Sequence, residues 1–76
     1  MIPDHKLDVS GLSCPLPMLR AKKALATLTS GQTLEVIATD PAAPTDFEAF
    51  CRQTGNVLVE SAQTDDGKFR LVLRRK

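Results

Sequence analysis

Polar and apolar residues alternate in four short runs of this chain and recur at helical spacing in two others. Lys6–Val9 (KLDV) alternates and reads as a strand with Leu7 and Val9 inward. Ser10-Gly11 breaks it. Pro15–Thr29 is rich in helix formers, and Met18, Ala21, Leu25 and Leu28 mark one apolar stripe along it. Arg20, Lys22 and Lys23 fall mostly outside the stripe, and Gly31 is the natural stop. Thr33–Thr39 is a second alternating strand, with Leu34, Val36 and Ala38 inward. Pro41 and Pro44 suit a helix entrance rather than a helix interior, which predicts a second helix over Pro44–Thr54 ended by Gly55. Phe47, Phe50 and Cys51 share its inner face. Val57–Gln63 and Lys68–Arg74 alternate again, with Asp66-Gly67 as a hairpin signal between them.

The order β-α-β-α-β-β predicts an α/β two-layer sandwich: two helices on one face of a four-stranded sheet, with the other face open. The first βαβ crossover is expected to be right-handed. The 76 residues fit one domain, 1–76. A chain this small buries a modest core, and 42% apolar against 25% charged residues is an ordinary globular balance.

Charge narrows the function. The formal net charge is +1, so the basic excess of a nucleic-acid binder is missing. The basic run Arg74-Arg75-Lys76 reads as a solvated chain end. The first residues contain no apolar run, so neither a secretion signal nor a membrane span is expected, and the expected location is cytoplasmic. Cys14 and Cys51 are the two cysteines; in a reducing compartment a disulfide between them is not expected. His5 is the single histidine and no CxxC pair exists, so no metal site is expected, and no cofactor motif is present.

The segment GLSCPLP (Gly11–Pro17) concentrates the chemistry. Cys14 falls where the first strand hands over to the first helix. With Cys14 as N-cap, Pro15 is N1 and Pro17 is N3, and both prolines lack the amide a cap would use. The Leu16 N–H is then the donor left to point at the sulfur, and Gly11 allows the tight approach. Unpaired amides and the positive end of a helix favour an anion, which predicts a thiolate at lowered pKa. No histidine stands beside Cys14 as a base, and a lone activated thiol suits a group carrier better than a hydrolase. Asp40 and Asp46 can sit close in space, although carboxylates at a helix entrance are usually caps; Asp40 is read either as shaping a pocket beside the thiol or as a helix-entry or turn residue. Lys22 and Lys23 read as solvated charges, with docking to an acidic partner as the functional alternative. Cys51 reads as core packing.

These residues bring a family with them. LDVSGLSCPLPMLRAKKAL resembles the N-terminal signature of TusA/SirA-like sulfur carriers: Asp8, two residues, Gly11, two residues, then Cys14-Pro15-Leu16-Pro17. Gly31, TDPAA from Thr39, Asp46, Phe50-Cys51 and Gly55 also match, so the likeness runs from Leu7 to Arg74. It departs at Asn56, where such proteins often have histidine. The resemblance implies a mixed sheet of strand order 1-2-4-3 and a persulfide on Cys14. A cysteine desulfurase or rhodanese-like protein would load that thiol and a second protein would accept the sulfur. It further implies uses in tRNA thiolation, molybdenum-cofactor maturation or sulfur oxidation. A redox-sensitive regulatory or adaptor module using the same thiol is the alternative. With that strand order, alternation turns Ile37, Leu58 and Val72 to the open face, among Glu35, Glu60, Arg70 and Arg74; single exposed apolar residues are ordinary there, and a contiguous patch would suggest self-association or a partner.

Overall fold

The computed structural model describes residues 2–76. The elements are β1 (His5–Val9), α1 (Leu16–Ala26), β2 (Thr33–Ala38), α2 (Ala43–Thr54), β3 (Val57–Gln63) and β4 (Phe69–Arg74). The order β-α-β-α-β-β and the sheet order β1-β2-β4-β3 are those the sequence and its family resemblance predict. β1 and β2 are parallel; β2–β4 and β3–β4 are antiparallel. α1 packs over β1 and β2, and α2 over β3 and β4.

Alternation builds the core. In register, Leu7 lies beside Val36 and Val9 beside Ala38; Leu34 pairs with Leu73 and Val36 with Leu71. These side chains form one sheet face, closed by Ala21, Leu25 and Leu28 after α1's first turns and by Ala43, Phe47 and Cys51 of α2. Met18 and Phe50, expected on the inner stripes, are half-buried at the edge of this core. Phe47 is the largest fully buried side chain.

The open face differs from the sequence expectation. Val59 drops out of the β3–β4 ladder between Leu58 and Glu60. A bulge of this kind inserts one residue and reverses the faces on its two sides. Leu58 therefore pairs with Leu73 and packs on the core, while Glu60 faces outward opposite Val72. Val72 turns away from the helices but has no exposed surface. Glu35 and Glu60 stand on either side of it, and Arg70 pairs with both carboxylates, at 2.7 Å to Glu35. Charged side chains thus close over the valine. The expected patch of Ile37, Leu58 and Val72 does not form.

In the basic tail Arg74 and Lys76 are exposed, but Arg75 is not a solvated end. Its guanidinium donates to the carbonyls of Leu25, in the last turn of α1, and of Leu28, just beyond it. The Arg75 N–H donates to Gln32, and the Lys76 N–H to the Asn56 side chain. Asn56, at the departure from the family pattern, thereby fastens the chain end, and its amide also donates to Thr54.

Truncating Phe47 empties the centre of this small core. Phe47→Ala is expected to cost about 3–5 kcal/mol, read as a lower urea midpoint at unchanged slope. A loss below about 1 kcal/mol would mean the core closes without it.

Candidate functional site

Parallel pairing of β1 and β2 brings the loops leaving their C-terminal ends side by side, because Val9 lies next to Ala38. One loop carries Gly11 and Cys14 into α1; the other carries Thr39 and Asp40 into α2. Side chains of the second loop hold the backbone of the first. The Gly11 N–H donates to the Thr39 hydroxyl at 2.8 Å, and the Cys14 N–H donates to Asp40 Oδ2 at 2.8 Å. Asp40 Oδ1 accepts from the Ala42 N–H at 3.0 Å. One carboxylate thus ties the cysteine loop to the start of α2. Gly11 has φ of +80°, a conformation that disfavours any side chain.

The start of α1 differs from the expectation by one residue, with consequences for the sulfur. Pro15 is the N-cap, Leu16 is N1 and Pro17 is N2, so Cys14 precedes the helix. The Leu16 N–H donates to the Ser13 carbonyl at 3.0 Å. It does not serve the sulfur. The Cys14–Pro15 peptide is cis. Proline at both Pro15 and Pro17 removes further amides from this turn.

The side-chain surroundings are acidic. Cys14 is exposed, while Cys51 is buried; both are free. Beside Cys14 a cavity of about 10 Å³ is lined by Pro15, Pro17, Met18, Asp40, Asp46 and Phe47 among others. Its size is that of a single water. On the other side a groove of about 250 Å³ runs between the helices, past Met18, Lys22, Asp46, Phe50 and Gln53. Partial desolvation pushes the Cys14 thiol above the ordinary cysteine pKa, and the negative charges of Asp46 and Asp40 push it further the same way. The expected lowering is therefore reversed: partial desolvation and two nearby carboxylates raise the thiol instead.

Comparison with known proteins places the chain. Residues 5–75 match the family described as Sulfurtransferase TusA. The chain belongs to the TusA family. It is 61% identical over 70 residues to a relative from Neisseria meningitidis, provisionally named a sulfur carrier protein, covering 92% of this chain and 93% of the relative. It is 56% identical over 72 residues to the sulfur carrier protein TusA of Allochromatium vinosum, covering 95% and 93%. In three dimensions it resembles the crystal structure of a SirA-like protein from Desulfitobacterium hafniense, with a TM-score of 0.83 at 27% identity over 92% of this chain and 95% of that one.

In this TusA-family chain Gly11, Cys14, Pro15 and Asp40 come together at one end of the sheet, and Pro17 lines the small cavity. Leu16 points outward and is 44% exposed. Lys22 lines the groove and rests its ammonium over the Phe50 ring at 5.8 Å, so it is more than a solvated charge; Lys23 lines neither cavity. His5 lies exposed at the far end of β1. Thr39 and Asp46 join the site without having been singled out as site residues in the sequence. The parallel register of β1 and β2 was the signal for Thr39. Asp46 could be found by helical spacing, since it lies on α2 one residue before the core position Phe47.

Asp40→Ala removes the acceptor of two amides and is expected to cost about 0.5–2 kcal/mol. Hydrogen exchange at Cys14 and Ala42 should quicken relative to the β2–β4 ladder; equal protection would show that the loop holds itself. Ultraviolet titration of the thiolate should give a Cys14 midpoint above that of a free cysteine. Because the folded thiol keeps its proton longer than the unfolded one, its share of stability is present below the ordinary thiol pKa. It is lost as pH rises through the alkaline range.

Proposed function

We propose that this chain is a sulfur carrier in which Cys14 holds the cargo as a persulfide and passes it to an acceptor protein. The observation that carries the reading is a single exposed thiol held forward by the Asp40 clamp, with the other cysteine sealed in the core. The names of the Neisseria and Allochromatium relatives support it.

The chemistry needs no resident cofactor. The Cys14 thiol first gives up its proton. The thiolate attacks the terminal sulfur of a donor persulfide; a new S–S bond forms at Cys14, the donor's S–S bond breaks, and the donor leaves as a thiolate that takes the proton. Delivery is the same exchange with an acceptor thiolate attacking and Cys14 leaving. No electrons are gained or lost overall. Gly11, Pro15 and Pro17 shape the loop, Asp40 fixes it, and Leu16 belongs to the surface that meets the partner. Leu19 (52% exposed), Arg20 and Lys23 extend that surface along the outer side of α1, and Lys22 lies on the groove side.

A cysteine desulfurase or rhodanese-like protein is the donor this scheme requires, and a thiol-bearing protein the acceptor. tRNA thiolation, molybdenum-cofactor maturation and sulfur oxidation are the uses that fit such a relay. The setting is a reducing, cytoplasmic one, where Cys14 stays available; no described helix is long and apolar enough to cross a membrane. The redox-sensor alternative is weakened, because sensor cysteines have low pKa values and this thiol is pushed up.

Intact-mass measurement after incubation with a cysteine desulfurase and cysteine tests the reading. The expected result is a gain of one sulfur atom, removed by reductant and absent in Cys14→Ser. A gain that persists in Cys14→Ser, or no gain with either a desulfurase or a rhodanese-type donor, would overturn it.

A further inference from the structure

We propose that Asp46 is a positioning residue that holds Cys14 in its protonated, unreactive form until a docking protein brings a cation against the carboxylate. The meaning of this gate rests on the sulfur-carrier reading, but its physical basis does not.

The two carboxylates beside the sulfur are not equivalent. Both oxygens of Asp40 already accept backbone amides, from Cys14 and Ala42. Asp46, in the first turn of α2, is half-buried and lines both the small cavity and the groove with Cys14. Among the described residues its carboxylate accepts no backbone amide and no cation lies within salt-bridge distance of it. It lines both spaces together with the thiol. Its unneutralised negative charge therefore acts on the sulfur.

Among the described residues, the charged groups that line the two spaces with the thiol can be named. The loop after β2 supplies Asp40 and α2 supplies Asp46; α1 supplies Lys22 on the far side of the groove, leaning on Phe50. Two anions thus border the sulfur, and the one cation of the groove is engaged elsewhere. Forming a thiolate here adds a third negative charge to the site, which like-charge repulsion opposes. A lysine or arginine of a partner, placed in the groove mouth, would cancel the Asp46 charge and release the thiol at the moment of docking. The carrier's reactivity toward stray electrophiles would then be low and its reactivity within the complex high.

The test needs no sulfur donor. Iodoacetamide is neutral; the Cys14 thiolate displaces iodide from it, forming an S–C bond, and mass spectrometry locates the product on Cys14 rather than Cys51. The pH dependence of this rate would be compared in wild type, Asp46→Asn, Asp46→Lys and the control Glu48→Gln. Glu48 is an exposed member of the Glu48–Arg52 pair and borders neither cavity. The gate predicts a profile displaced to lower pH in Asp46→Asn, with a rate at neutral pH raised about threefold or more. It predicts a further rise in Asp46→Lys and no change in Glu48→Gln. Added salt should speed the wild type more than Asp46→Asn, since screening then acts on two repulsions in the former and on that of Asp40 alone in the latter.

Superimposable profiles for wild type and Asp46→Asn would overturn the proposal. A wild-type rate indifferent to salt would do so as well, even if a variant failed to fold. Persulfide loading of Cys14 with an unchanged Asp46→Asn profile would retain the carrier and reject the gate. The displaced profile without loading would retain the gate and reject the carrier.

Discussion

One carboxylate joins the two halves of this site. Asp40 sits where β2 ends and accepts amides from Cys14 on one oxygen and Ala42 on the other. A short loop rich in glycine and proline has few means of fixing its own shape, because its prolines lack amide hydrogens. Asp40 and its neighbour Thr39 supply the missing constraint from outside, through a parallel register that aligns the ends of β1 and β2. Cys14 stands forward because a different strand holds it there.

That arrangement carries an electrostatic consequence. A clamp made from a carboxylate brings negative charge to the sulfur, and Asp46 doubles it. A thiol reluctant to ionise is a slow nucleophile when empty and a slow leaving group when loaded. In the proposed relay the same charges would restrain both directions of transfer. For a carrier that must hold cargo among competing thiols, such restraint would be as useful as reactivity, provided that docking relieves it.

Much of the fold could be read from the chain. Alternation located every strand, helical spacing located both helices, and their order implied two layers. The strand order came with the family likeness; Gly11, Cys14, Pro15, Leu16, Pro17 and Asp40 were legible as a candidate site from the junction of the first strand and first helix and from the entrance of the second. Four things were out of reach. The bulge at Val59 leaves no mark on an alternating run, so Leu58 was assigned to the wrong face. The cap of α1 lies one residue later than expected because the Leu16 amide is taken by Ser13. The sign of the thiol's pKa shift depends on where Asp46 and Asp40 come to lie in space, and local helix polarity alone pointed the other way. The role of Arg75 was hidden for a similar reason, since its partners lie at the end of α1, remote in sequence.

The bulge at Val59 bears on how the protein meets others. An open sheet with order β1-β2-β4-β3 has two free edges, and an unpaired edge invites addition of a foreign strand. On the β3 edge the bulge breaks the even spacing of backbone donors and acceptors that such addition needs, and Glu60 stands just beyond it. That edge makes a poor template for aggregation. The outer side of α1 and the loop bearing Cys14 are the opposite kind of surface, one that presents exposed side chains such as Leu16 and Leu19 in place of unpaired backbone.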